Sequence, residues 1–346
     1  LMMVMDPEDS DIRALEFPIR PRFALKTHPD SEFAFVTRTP DGTGWLYQNE
    51  ELGRVDQDAM DPLTLIEHIG GTYMISLESP TIPPATHTNC AIIGEDRFVV
   101  IDPGTEDKKQ LALLYPAIDH LIDRGATFEA IVLTHHHIDH VCGVPALMDR
   151  YGDIPLWAHE KTGELLPGGF PKLARVLEDG DTIELDSGDH DLECVFTPGH
   201  APGHLAFLHR RSHTLFCGDL VASKGTILVR PPEGRMGHYL SSLQRVRAMN
   251  VRALHPSHGW TIVDPPGKLE EYENHRLARE EQVYNALCAH AGEWAEPMDL
   301  VPSVYTDVPE GVWFLAAMSL TAHLIHLEEL GRAERDGDTL RFSALT

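Results

Sequence analysis

The chain has 346 residues, which at about 150 per unit allows two domains. Apolar residues make up 42% and charged residues 24%, fractions that exclude a wholly disordered or collagen-like chain. Fifty-four acids against 28 bases leave a net charge of −26, so a nucleic-acid substrate would need a locally positive cleft or bound metal ions.

No run approaches the ~18 consecutive apolar residues of a membrane span, and no membrane partner is expected. Leu1 to Met5 is too short for a signal-peptide core, and Asp6, Glu8 and Asp9 follow it. Cys90, Cys142, Cys194, Cys217 and Cys288 form no CxxC pair. They read as small buried hydrophobes in a reducing cytoplasm rather than as disulfides or a thiolate zinc knuckle. Histidine is the compositional outlier, with 21 copies.

Residues 1–72 read as an N-terminal extension with no visible chemistry. Phe33 to Thr39 and Trp45 to Gln48 flank the turn cluster Pro40 to Gly44, the pattern of a hairpin. Leu63 to Ile69 is expected to be a short helix stopped by Gly70 and Gly71. Residues 73–267 change rhythm. Strands are expected at Tyr73 to Leu77, Cys90 to Gly94, Phe98 to Asp102 and Ala130 to Thr134. Shorter ones follow near Leu156, Leu192, Ala206, Thr214 and Ala253. Helical spacing covers Leu111 to Arg124 and Ser241 to Met249. Strands outnumber helices and alternate with them unevenly, which suggests two packed sheets with helices outside. In residues 268–346, Leu269 to His290 and Val312 to Leu330 read as helices. Arg332 to Phe342 reads as a hairpin around Asp336-Gly337. Helix, helix and hairpin describe a winged helix.

The chemistry is concentrated in Thr134-His-His-His-Ile-Asp-His140, directly after the apolar run 130–133 and so on a loop at a strand's C-terminal end. Imidazole and carboxylate are the usual nitrogen and oxygen ligands of zinc. His135 and His137 can converge on one ion, while Asp139 and His140 can face a neighbouring one. Three further segments each place a ligand type just past an apolar run: Thr197-Pro-Gly-His200, Cys217-Gly-Asp219 and Pro256-Ser-His258.

This set resembles the dinuclear ligand set of the metallo-β-lactamase superfamily, and Asp102-Pro-Gly104 resembles that family's early Asp turn. The resemblance covers roughly residues 70–265. It implies an αββα sandwich, within an α+β chain that also carries a C-terminal winged helix. By the same resemblance His135, His137 and His200 hold a first metal, Asp139, His140 and His258 a second, and Asp219 bridges them. Histidine at 137, where di-iron flavoproteins of this fold carry Glu, favours two zinc ions; iron and manganese are the alternatives. The tail, through Glu273 to Gln282 and Ala322 to Gly331, resembles the winged-helix-bearing subgroup. That subgroup contains β-lactamase-like protein 2 type endoribonucleases and thioesterases of polyketide pathways. Thr88-Asn89-Cys90 resembles a segment near its active site.

Two metals roughly 3.5–4 Å apart can share one hydroxide and steady the attacking and leaving oxygens. The expected enzyme is therefore a hydrolase using a metal-bridging hydroxide, with Asp139 as the catalytic residue that orients it. Asn89 and His204 are candidate substrate contacts, each with a purely structural alternative. His136 and His255 are expected to support the ligands rather than join them. His323 and His326 read as buried or interface histidines, and Cys142 as a packing residue.

The expected substrate is a small-molecule or carrier-linked acyl ester or thioester. A phosphodiesterase acting on single-stranded RNA is one alternative, and a mononuclear iron enzyme like persulfide dioxygenases is another. From Glu270 onward the chain carries 15 acids and 5 bases, against a DNA-reading winged helix. The tail is better read as a wall over the metal cleft or a homodimer surface.

Overall fold

A computed structural model describes residues 71–345 apart from 84, 291, 292 and 307. It also describes strands at 3–5, 13–14, 24–25, 35–38, 45–48 and 65–69. In the extension, Phe35–Arg38 and Trp45–Gln48 pair antiparallel, Phe35 opposite Gln48, as the hairpin reading expects. The connecting turn lies outside the described residues. The expected helix over 63–69 is instead a strand, Leu65–Ile69, antiparallel to Thr72–Glu78 with Leu65 opposite Ile75. Gly71, at φ +80, supplies the left-handed turn between them, and β-branched Ile66 and Ile69 suit an edge strand.

Two mixed sheets lie face to face. The seven-stranded sheet runs Arg175–Val176, Leu156–Ala158, Thr127–Val132, Arg97–Ile101, His87–Ile93, Thr72–Glu78 and Leu65–Ile69. The five-stranded sheet runs Thr182–Ile183, Leu192–Phe196, Leu205–His209, Thr214–Gly218 and Ala253–Pro256. Period-two alternation explains why the apolar strands look continuous in sequence. Val99, Ile101, Ala130 and Val132 point between the sheets, against Cys194, Leu205 and Phe207. Their neighbours Phe98, Val100 and Ile131 point outward, against Leu114, Ile118 and Leu147 of the covering helices. Both faces of each sheet are therefore buried. On the far side, Val195, Leu208 and Leu215 meet Tyr239 and Leu243 of helix Met236–Ala248, and Leu269 and Tyr272 of helix Pro265–Ala289.

That last helix serves two cores. Its first half packs on the five-stranded sheet, and Val283 and Leu287 pack with Leu300, Val304, Leu320, Leu324 and Phe342. The C-terminal unit holds helices Pro297–Val304 and Trp313–Glu329 and the antiparallel pair Ala333–Arg335 and Phe342–Ala344. The eight-residue helix Pro297–Val304 escapes a sequence reading because Pro297 and Pro302 both fall within it. The hairpin is also looser than a two-residue turn, since residues 336–341 connect its strands. No helix among the described residues is long and apolar enough to cross a membrane.

Candidate metal centre and its cleft

Five strands of the two sheets deliver their following residues to one edge. Asp102 follows Arg97–Ile101, the His135–His140 loop follows Thr127–Val132, and His200 lies beyond Leu192–Phe196. Asp219 directly follows Thr214–Gly218, and His258 lies two residues beyond Ala253–Pro256. In the loop, His137 caps the short helix Ile138–Val141, which places Asp139 and His140 in its single turn.

The donor atoms gather in two groups. In the first, His135 Nε2 lies 2.9 Å from His137 Nδ1, His200 Nε2 lies 2.9 Å from His137 Nδ1, and the two Nε2 atoms are 3.2 Å apart. A tetrahedral zinc with nitrogens at about 2.0–2.1 Å has ligand–ligand edges of roughly 3.3 Å. In the second group, His258 Nε2 lies 3.5 Å from Asp139 Oδ2, and His140 Nε2 lies 3.8 Å from the same oxygen. Asp219 faces both groups. Its Oδ2 is 3.3 Å from His200 Nε2, while its Oδ1 is 3.3 Å from His258 Nε2 and 3.6 Å from His140 Nε2.

The outer hydrogen bonds decide which lone pairs point inward. Thr134 Oγ1 donates its hydrogen to Asp102 Oδ2 at 2.5 Å, so Thr134 Oγ1 accepts from His135 Nδ1–H at 3.0 Å. His140 Nδ1–H donates to Asp102 Oδ2 at 2.8 Å, His200 Nδ1–H to the Leu228 carbonyl at 2.8 Å, and His258 Nδ1–H to the His87 carbonyl at 2.9 Å. His137 turns its Nε2 toward Glu233 Oε2 at 3.4 Å, leaving Nδ1 unprotonated. All five imidazoles thus direct a bare nitrogen at the others, a repulsive arrangement without a cation between them. His140 Nε2 and Asp219 Oδ1 are buried with no hydrogen-bond partner. Orphaned buried acceptors that face one another fit a pair of divalent cations.

Burial holds His135 and His200 well below the usual imidazole range and His137 at about 4, so these three are neutral at pH 7, the form that can ligate a metal. Burial also opposes charge on His140, but Asp139, Asp219 and Asp102 raise it well above that range. Burial alone would raise Asp219, yet His258 and His140 hold it well below the usual carboxylate range. The carboxylates thus draw positive charge to the second group, and a cation there would supply it in place of a proton on His140 Nε2.

The structure brings all seven expected ligands together and gives the two candidate substrate contacts backbone partners. His204 is fully buried. Its Nε2 accepts from the Asp219 backbone N–H at 3.0 Å, and its Nδ1 lies 2.8 Å from Thr197 Oγ1, contacts that match the structural alternative of holding Asp219 in place. Asn89 borders the cleft, but its amide hydrogens go to the carbonyls of Pro256 (2.8 Å) and Gly259 (2.7 Å), bracing the His258 turn. His255 bonds Thr261 and stays out of both groups. Cys142 is buried, and burial pushes its thiol up to about 12, which removes thiolate chemistry. Glu233 is the residue that sequence reasoning missed. It sits before helix Met236–Ala248, with Oε2 3.2 Å from His136 Nε2 and 3.5 Å from Arg230 Nη2. No short motif marks a residue nearly a hundred positions from the loop it supports.

The site opens into a cleft of about 1370 Å³. Its near wall carries Ile82, Ile138, Leu165 and Pro167, and its far wall carries Tyr305, Val308, Pro309, Val312 and Leu315 of the C-terminal unit. The segment around 163–173 thus contributes Leu165 and Pro167 to the cleft, with Leu173 packed on Gly163. The C-terminal unit walls the site, as expected. Remote from the cleft ligands, His323 and His326 bond Glu280 inside the joint between helices Pro265–Ala289 and Trp313–Glu329, at 3.5 and 2.6 Å.

Comparison with known proteins agrees with this geometry. Residues 83–258 match the metallo-beta-lactamase superfamily, and residues 297–341 match the beta-lactamase associated winged helix domain. The chain is 30% identical over 264 residues to a Beta-lactamase-like protein 2 homolog of Drosophila melanogaster, covering 73% of this chain and 86% of the relative. It is 27% identical over 233 residues to an atrochrysone carboxyl ACP thioesterase of Cryptosporiopsis sp., covering 67% of each. A beta-lactamase domain protein from Burkholderia ambifaria shares the fold with a TM-score of 0.71 at 20% identity, over 82% of this chain and 94% of that one.

Proposed function

Because the chain belongs to the metallo-β-lactamase superfamily of metal-dependent hydrolases, we propose that it hydrolyses an ester or thioester of a small or carrier-linked acyl group at a dinuclear zinc centre. The carrying observation is the pair of donor groups that share Asp219, each with its lone pairs aimed inward. His135, His137 and His200 would hold one ion, Asp139, His140 and His258 the other, with one oxygen of Asp219 toward each. The donor set is all nitrogen and oxygen, which suits zinc and also admits iron or manganese. When bound, such ions supply Lewis acidity to a carbonyl oxygen and a water of lowered pKa.

The chain's own residues do the rest. Asp139 borders the cleft and orients the attacking water by accepting one of its protons. Asp102, Thr134 and Glu233 hold the imidazole rings in their ligating tautomers. The apolar walls seat the acyl group and exclude bulk water. Attack by water forms a carbon–oxygen bond and breaks the carbon–sulfur bond; one water proton passes by way of Asp139 to solvent and the other ends on the departing sulfur, giving a carboxylate, a thiol and one released proton. A thiolate leaving group with pKa near 8.5 needs no strong acid beside it.

The apolar lining and the −26 net charge support an acyl substrate, as does the thioesterase among the relatives. Lys224, Arg230, Arg276 and Arg279 also line the cleft, which favours single-stranded RNA as the second reading. Against it, among the described residues Trp260 and Tyr305 are the only Trp, Tyr or Phe that line the cleft and could stack on bases. Purified protein assayed on thioesters and on single-stranded RNA, with metal content measured, decides between them. Thioester turnover that a chelator removes and zinc restores supports the proposal. RNA cleavage without thioester turnover supports the second reading. One iron per chain with oxygen consumption displaces both.

A further inference from the structure

The cleft is unlike the rest of this acidic protein. Among the described residues four Lys and Arg line it, Lys224, Arg230, Arg276 and Arg279, against three carboxylates, Asp139, Asp219 and Glu233. Two of those carboxylates belong to the proposed metal centre. Two of the cations lie on the segment 222–233, which passes both donor groups. At one end the Ser223 N–H donates to the carbonyl of His258, at 3.2 Å. Midway, the Leu228 carbonyl accepts from His200, and at the far end Glu233 meets His137. Lys224 and Arg230 therefore sit near opposite ends of one rim over the centre.

Arg276 and Arg279 back this rim from helix Pro265–Ala289. Arg276 is buried, donates to the Ile227 carbonyl of the rim, and lies 5.3 Å from the Tyr239 ring centre. Arg279 donates to the Val304 carbonyl and lies 4.3 Å from the Tyr305 ring centre. Each guanidinium carries five N–H donors, so one backbone contact leaves Arg279 further donors at the cleft. Arg230 is half-exposed, with Nη2 3.5 Å from Glu233. The opposing wall, through Val308, Pro309 and Val312, is apolar.

We propose that the rim 222–233 with Arg279 is an anion subsite, and that the substrate is amphipathic: an apolar acyl body against the C-terminal wall and an oxyanion, phosphate or carboxylate, on Lys224, Arg230 and Arg279. This rests on the acyl-hydrolase reading of the same site. Cations gathered in a recess focus a local positive potential, which can hold a small anion although the surrounding acidic surface repels one. The subsite thereby selects among acyl substrates, which the metal ligands alone do not.

Three decyl thioethers, which cannot be hydrolysed, test this by calorimetric titration of the metal-loaded protein. The N-acetylcysteamine thioether is neutral. The coenzyme A thioether places phosphates on the carrier side, and an ω-carboxydecyl thioether of N-acetylcysteamine places a carboxylate on the acyl side. We expect one anionic ligand to bind at least about tenfold more tightly than the neutral one. That preference should shrink with added salt and fall in Arg279→Gln and Lys224→Gln, with metal content and circular dichroism as controls on folding. Whichever anion is preferred identifies its side. Equal affinities for all three ligands, or a preference that both variants retain, would overturn the subsite. Hydrolysis of the matching decanoyl thioesters is measured separately. Anion-selective binding without any hydrolysis would refute the acyl-hydrolase reading and leave the subsite standing.

Discussion

Replacing Asp102 by Asn tests how the centre is built, because one carboxylate governs ligands in both groups. Its Oδ1 accepts from the Thr134 backbone N–H at 2.8 Å, and its Oδ2 accepts from Thr134 Oγ1 and His140 Nδ1. The residue is 1% exposed and has φ 49, so no water replaces a lost acceptor. Asparagine keeps one acceptor oxygen and presents an NH2 group at the other position. If that group meets His140, the ring must carry its proton on Nε2, the atom that should bind the second ion. If the amide flips, the Thr134 backbone N–H loses its acceptor instead. Loss of such an outer partner typically weakens metal binding 10–100-fold, about 1.4–2.8 kcal/mol. We therefore expect Asp102→Asn to bind its weaker ion 10–100-fold less tightly in a competition titration against a chromophoric chelator. Thermal unfolding of the metal-loaded variant should lose its dependence on metal concentration in the same range. Two ions bound with unchanged affinity would refute the tautomer argument.

Other consequences follow from the same contacts. His135→Ala and Asp219→Ala should each abolish turnover while circular dichroism stays native; a measurable wild-type rate in either would remove the centre from the mechanism. Cys142→Ala should retain most activity, because its thiol is held at about 12 by burial; complete loss in a rate assay would reopen thiolate chemistry. A Cβ on Gly104 would meet the Asp139 carbonyl at 1.8 Å, so Gly104→Ala should cost at least about 2 kcal/mol, seen as a lower denaturant midpoint. Burial opposes the Glu280 carboxylate, but His323 and His326 bring it down to about 2. A depressed carboxyl stabilises the fold above its unfolded pKa near 4.5 and loses that contribution as pH falls toward 2. The melting-temperature deficit of Glu280→Gln should therefore be largest between about pH 4.5 and 6.5, shrinking below that window as Glu280 protonates and above it as His326, which Glu280 raises, loses its proton; a deficit that grows on acidification below pH 4.5 would contradict this sign.

The donor loop was legible because its side chains are local. Four of the seven lie within Thr134-His-His-His-Ile-Asp-His140, and the others each end an apolar run, a pattern that strand geometry turns into one sheet edge. The continuous apolar run Ala130-Ile-Val-Leu133 likewise implied a buried strand, and its side chains alternate between the two cores. The roles of Asn89 and His204 were not legible. A turn-forming amide and a histidine near a ligand look the same whether they face substrate or brace a backbone, and only the partners Pro256, Gly259 and Asp219 distinguish these. The strand at Leu65–Ile69 shows the same limit, since a short apolar run satisfies both periods until a neighbour pairs with it.

Residue order thus determined the chemistry on offer: which side chains can ligate, which runs are apolar, and where the turns fall. Folding decided the partners. Glu233 reaches His137, helix Pro265–Ala289 joins two cores, and the C-terminal unit closes the cleft through contacts between residues far apart in the chain. Periodicity constrains a side chain's direction relative to its own element. Which groups it then meets depends on how separate elements stack, and that follows from the packing of the whole chain.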